Sequence, residues 1–178
     1  MITPRYICII GAESTGKTTL AKALAEHFNC PWVPEYLRAF CDARGRTPTR
    51  DEQSLILETQ RINELAAGVN AGNSGAHHVI CDTAPMLTAI YSDFVFADTS
   101  LYPRARALHG RYALTLLLEP DIAWVADGLQ RDGEQVRVPI TDLIVHELIA
   151  VDAPFVRISG TGEMRQAAAL LALGTGGR

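Results

Sequence analysis

Short apolar runs alternate along the chain with longer stretches in which apolar residues recur every third or fourth position, the pattern of strands alternating with helices. Residues 6–10 read as a buried strand, and Leu20, Leu24 and Phe28, with Ala21 and Ala25 beside them, as the inner face of the helix behind it. Residues 30–33 predict a second strand ending at Pro34, and 36–44 a helix broken by Gly45-Arg46-Thr47-Pro48. Thr49-Arg50-Asp51-Glu52 predicts a capping box opening a long helix, whose apolar stripe is Leu55, Ile62, Leu65, Ala66 and Val69. Strands at 79–82, 113–118 and 155–158 and helices at 86–96, 101–110, 140–151 and 163–173 complete the series. With no internal repeat and no linker, this predicts one α/β domain over residues 1–178, a single doubly wound five-stranded parallel sheet.

The chemistry enters between the first strand and the first helix. Gly11-Ala12-Glu13-Ser14-Thr15-Gly16-Lys17-Thr18 fits G-x-x-x-x-G-K-[ST], a loop whose backbone N–H groups converge on phosphate while the next helix aims its positive end at the same point. Gly11, Glu13, Ser14, Thr15, Gly16, Lys17, Thr18 and Thr19 are therefore the expected nucleotide-binding set. Lys17 should reach the β- and γ-phosphates and the Thr18 hydroxyl should ligate Mg²⁺. Asp82, at the tip of an apolar strand, has the place of a Walker-B acid and second metal ligand, although Thr83-Ala84-Pro85 also allows it to cap a helix. Glu35, Tyr36 and Arg38 stand at the carboxyl end of the second strand, the edge that faces ligand in an open α/β sheet. Glu35 is favoured as the general base for a substrate hydroxyl, with Asp82 competing for that task. Residues 127–137 are polar and carry Arg131 and Arg137, which predicts a lid over about 127–139 that spreads charge on the transferred phosphoryl group. His77 and His78 are adjacent and point opposite ways on a strand, so they are assigned no metal.

Composition narrows the partners. With 48% hydrophobic residues, 20% charged and a net charge of -4, the chain has ordinary core-forming capacity and no basic stripe for nucleic acid. Cys8, Cys30, Cys41 and Cys81 form no CxxC pair, no apolar run approaches the ~20 residues of a membrane helix, and residues 1–4 lack signal-peptide character. A cytoplasmic protein acting on a small molecule is expected. The absence of N-K-x-D, and of D-x-x-G after the third strand, speaks against a GTPase, and the length leaves no room for the helical lid of a hexameric motor.

Several stretches together resemble the kinase domain of the bacterial NadR-type proteins, which phosphorylate nicotinamide riboside, and stand-alone relatives labelled AAA-type ATPases. The matching residues are the phosphate loop with its Glu13, Glu35-Tyr36 with Arg38, Asp82-Thr83 with Thr88 and Tyr91, 117–128 with Pro120-Asp121 and Trp124, and Arg131 with Arg137. The resemblance implies a fold like nucleoside and nucleoside-monophosphate kinases, ATP and Mg²⁺ as cosubstrates, lid arginines at Arg131 and Arg137, and adenine held partly by Gly160, Thr161 and Gly162. Where the family often has an aromatic residue before Glu-Tyr, this chain has Pro34, and Trp32 on the same strand face is the expected substitute. NadR proteins carry an adenylyltransferase domain before the kinase; this chain begins at the kinase strand, so adenylyl transfer is not expected of it. The expected activity is phosphorylation of nicotinamide riboside to nicotinamide mononucleotide. The alternatives are a regulatory, partner-dependent ATPase and a nucleoside-monophosphate kinase using Arg38, Arg44 and Arg46.

Overall fold

A computed structural model describes residues 2–126 and 133–174. Strand β1 (Arg5–Ile10) is its axis, pairing in parallel with β3 (His78–Asp82) on one side and β4 (Tyr112–Leu118) on the other. The order is β2-β3-β1-β4-β5, with β2 at Trp32–Val33 and β5 at Phe155–Ile158, and every pairing is parallel. Alternation along β1 explains the layers. Ile7 and Ile9 join Leu20 and Leu24 of α1 (Lys17–Phe28) and Ala169 of α7 (Gly162–Ala172) in one apolar cluster. Cys8 and Ile10 join the other, which receives α3 (Gln53–Ser74), α4 (Pro85–Phe96), α5 (Tyr102–His109) and α6 (Arg137–Ala150). Helix α2 (Tyr36–Arg44) follows β2 with the bounds predicted. The doubly wound five-stranded parallel sheet is thus observed. Among the described residues no helix is long and apolar enough to cross a membrane.

Three expectations need correction. The second strand is shorter than predicted, because Pro31 contributes only its carbonyl, accepting from the Ile80 amide at 3.0 Å, and pairing begins at Trp32. Helix α6 opens at Arg137, three residues before its predicted start, while 127–132 of the predicted lid, including Arg131, lie outside the described residues.

The third concerns α3. Its capping box forms, with the Thr49 amide donating to Glu52 at 2.8 Å, although the first turn, Arg50–Glu52, is 3₁₀. The predicted stripe, however, faces outward: Leu55, Ile62, Leu65 and Val69 are 50%, 56%, 42% and 63% exposed. The buried face carries Ile56, Leu57, Gln60, Glu64, Gly68 and Ala71 instead. Polar residues win this face because each has a partner. Gln60 accepts the Tyr36 amide at 2.8 Å and donates to Glu64 at 3.3 Å, and Glu64 takes the Arg111 guanidinium and the Tyr112 hydroxyl. Burial pushes the Glu64 carboxyl up, and the Arg111 charge opposes it. At Gly68 a Cβ would meet the Tyr6 hydroxyl, so a side chain there would have to displace the Tyr6 ring from its place between α3 and β1.

His109 is buried under β4, with Nε2 3.0 Å from Thr115 Oγ1, and burial together with the Arg111 charge lowers its pKa from 6.5 to about 4. The folded state therefore binds fewer protons than the unfolded chain between those values, so stability is fully present above pH 6.5 and falls as pH drops toward 4. The loss from this group between pH 7 and 5 should be about 2 kcal/mol. Urea titrations of the native chain and of His109→Gln at the two pH values check this: the pH-dependent difference should shrink in the variant, and an unchanged difference would exclude His109 as its source.

Candidate active site

The phosphate loop forms where β1 ends at the sheet's switch point, between β3 and β4. Gly11 is required by packing, since a Cβ there would stand 2.9 Å from Thr15 Oγ1 and 3.0 Å from the Leu118 carbonyl. Gly16 caps α1 at φ 81, a left-handed conformation that lets the helix start directly at Lys17. Inside the loop the Thr15 hydroxyl donates to the Ala12 carbonyl at 2.8 Å, and Lys17 Nζ reaches back to the same oxygen at 2.9 Å. The ammonium is thereby held over the concavity that the N-terminus of α1 faces.

Asp82 ends β3 beside the loop, and the Thr18 hydroxyl donates to its Oδ2 at 2.6 Å. The other oxygen, Oδ1, is buried without a hydrogen-bond partner among the described residues. Burial pushes the carboxyl up, opposed by the Thr18 bond and the Lys17 charge. An unpartnered carboxylate oxygen next to a threonine hydroxyl suits Mg²⁺, which takes one or two protein oxygens and fills its remaining positions with phosphate and water. Asp82 does not cap α4: the cap is Ala84, with Pro85 in the first turn. No group of three or more His, Cys, Asp or Glu able to hold a metal occurs among the described residues.

Glu35 occupies the cap of α2 without a side-chain capping bond and lines the main cleft together with Lys17, Thr18, Lys22 and Arg38. It also borders a small chamber of about 20 Å³ with Thr83, Thr88 and Tyr91. The main cleft, about 530 Å³, takes in loop residues 13–19 and is closed opposite by Ile122, Ala123, Val125 and Ala126. Lys17, Thr18 and Glu35 therefore face one space, with Asp82 behind Thr18. Tyr36 contributes its amide to Gln60. Trp32 is not among the cleft-lining residues; the Lys22 ammonium stands 4.9 Å from its ring centre and the indole N–H is buried without a partner among the described residues. Arg46 is bound to Glu52, and Arg44 lies over Phe40, leaving Arg38 as the cleft-lining member of that group.

Two buried arginines brace the loop. Arg137, 2% exposed, donates to the Ile122 carbonyl at 2.9 Å and to the Ser14 carbonyl at 3.4 Å, placing a desolvated positive charge against the phosphate loop. Arg165 was not foreseen. It donates to the Gly160 carbonyl at 2.6 Å, to the Glu119 carbonyl at 3.2 Å and to the Thr15 carbonyl, and it pairs with Asp121, whose other oxygen takes the Gly160 amide at 2.7 Å. The 160–162 loop is thus tied to the phosphate loop from behind rather than by lining the cleft. The only signal for Arg165 was its place one turn beyond Gly160-Thr161-Gly162, and a lone helical arginine ordinarily reads as solvated.

Comparison with known proteins shows the family and the fold. A family model described as an AAA domain matches residues 6–165. The trifunctional NAD biosynthesis/regulator protein NadR of Escherichia coli K12 is 31% identical over 166 residues, 86% of this chain and 38% of that protein. Its Salmonella typhimurium counterpart is 30% identical with the same coverage, so the chain spans well under half the length of both. Among solved structures, NadR in complex with NAD and AMP-PNP superposes at TM-score 0.78 with 21% identity, over 99% of this chain and 51% of that one. NadR in complex with NR does so at 0.72, also with 21% identity, over 99% and 53%. A deoxyadenosine kinase from M. mycoides reaches 0.63 with 12% identity, over 96% and 99%.

Proposed function

The chain belongs to this AAA domain family and is homologous to NadR over that stretch, and from that premise we propose that it is an ATP-dependent nucleoside kinase. Its acceptor is the primary hydroxyl of nicotinamide riboside, its product nicotinamide mononucleotide. The observation that carries this reading is the single cleft onto which the phosphate loop, the Thr18–Asp82 pair and Glu35 converge. The NadR structures described with AMP-PNP and with NR support the choice of cosubstrate and acceptor.

The triphosphate tail lies in the loop, where backbone N–H groups and the α1 N-terminus meet its charge. Lys17 leaves the Ala12 carbonyl to bind the β- and γ-phosphates. Mg²⁺, held by the Thr18 hydroxyl and by Asp82 directly or through water, would neutralise phosphate charge as the transfer proceeds. Glu35 takes the proton of the acceptor hydroxyl as its oxygen bonds to the γ-phosphorus and the bond to the ADP oxygen breaks. Arg137, with Arg131 beyond the described residues, stabilises the charge on the transferring group. Four free cysteines support a cytoplasmic location.

One observation favours a second reading. Lys22 and Arg38 add cations to the acceptor side of the cleft, as a nucleoside-monophosphate acceptor would need. Coupled ADP release measured across ribosides and nucleoside monophosphates decides between them. Acceleration by nicotinamide riboside above the other acceptors is the expected result. Acceleration by a monophosphate alone favours the second reading, and ATP turnover indifferent to every acceptor but raised by a protein partner defeats both.

A further inference from the structure

Glu13 and Trp124 are 111 positions apart and meet: the indole N–H donates to Glu13 Oε1 at 3.2 Å. At the next pair of residues the Val125 amide donates to the Ser14 hydroxyl at 2.9 Å. Ile122, whose carbonyl takes Arg137, packs toward Gly16, where a Cβ would stand 3.6 Å from its Cδ1. Successive residues of 122–126 are thus fastened to the phosphate loop, and Ile122, Val125 and Ala126 wall the cleft that the loop opens on. An acid inside an anion-binding loop is a liability, since its charge repels the phosphates the loop gathers. Phosphate binding alone does not call for a carboxylate there, and the Trp124 N–H takes one of its oxygens.

We propose that Glu13 is a positioning residue: through the Trp124 indole it clamps the 122–126 segment across the phosphate loop and so holds the nucleotide-side wall of the cleft in place. This rests on the reading that a nucleotide occupies the loop. A wall already ordered before the nucleotide arrives spares the binding step the entropy of fixing it, so releasing the clamp weakens nucleotide affinity and leaves the acceptor side untouched. Toward the Trp124 indole, Glu13 supplies an acceptor oxygen.

Calorimetric titration with ADP tests this directly. Trp124→Phe keeps the ring and loses the N–H, and should weaken ADP about fivefold to tenfold. Glu13→Gln keeps an acceptor oxygen and drops the charge, and should bind ADP at least as tightly as the native chain. In a Glu13→Ala background Trp124→Phe should have no further effect. In the kinase assay the KM for ATP should rise in Trp124→Phe while kcat and the KM for the riboside stay put. The chain has two tryptophans, so in a Trp32→Phe background the emission of Trp124 should also shift when ADP is added. Native affinity in Trp124→Phe overturns the clamp, as does a Glu13→Gln loss equal to that of Trp124→Phe. A native chain that binds no ADP overturns the nucleotide reading and the clamp with it, whereas native binding with an unaffected Trp124→Phe overturns the clamp alone.

Discussion

Lys17→Ala should abolish phosphoryl transfer, lowering turnover by about a thousandfold, the scale on which one preorganised electrostatic group acts. The effect is expected in catalysis and not in folding. Lys17 is half-buried, and its bond within the protein is to the Ala12 carbonyl, an interaction worth about 1 kcal/mol that the loop can replace with water. The thermal midpoint of the variant should therefore stay close to that of the native chain while product formation disappears. Lys17→Arg should not rescue it, because a broad planar guanidinium does not fit a loop that holds the compact ammonium 2.9 Å from a carbonyl. Native turnover in a folded Lys17→Ala protein would refute the role given to this residue.

Glu35→Gln should lower kcat by about a hundredfold, the lower end of general-base contributions, and leave ATP affinity unchanged. The two acids that compete for this role differ in their surroundings. Asp82 is 1% exposed, accepts from Thr18 at 2.6 Å and keeps its other oxygen buried without a hydrogen-bond partner among the described residues, surroundings that suit the metal-side role proposed for it. Glu35 borders the cleft of about 530 Å³, as well as the small chamber of Thr88 and Tyr91, which suits the base role proposed for it. Asp82→Asn should accordingly raise the Mg²⁺ concentration needed for half-maximal rate, an effect absent from Glu35→Gln. Steady-state rates over a Mg²⁺ series distinguish the two, and a kcat loss confined to Asp82→Asn with no change in metal dependence would move the base assignment to Asp82.

The parts legible in the sequence were those in which one local pattern has one physical solution. The glycine positions of the phosphate loop, the first, third and fourth strands and the 36–44 helix are of this kind, and each appears as expected to within a residue. Strand order was not legible, because parallel pairing partners leave no mark in an apolar run. Helix α3 misled for a specific reason. Hydropathy ranks Gln60 and Glu64 as solvent residues, and only the fold brings Tyr36, Arg111 and Tyr112 to satisfy them from inside, which frees Leu55, Ile62 and Val69 to face out. Arg165 escaped notice in the same way, since its value lies in three carbonyls and a carboxylate supplied by segments as much as 150 residues away. Trp32, expected at the substrate, is not among the cleft-lining residues and has Lys22 over its ring.

The central proposal, that this cleft moves the terminal phosphate of ATP to a riboside hydroxyl, is met most directly by following the phosphorus itself. The native chain, incubated with Mg²⁺, γ-labelled ATP and nicotinamide riboside, should place the label on the riboside as a primary-hydroxyl monophosphate, in an amount equal to the ADP formed. Label recovered only as inorganic phosphate, or left in ATP, would contradict it.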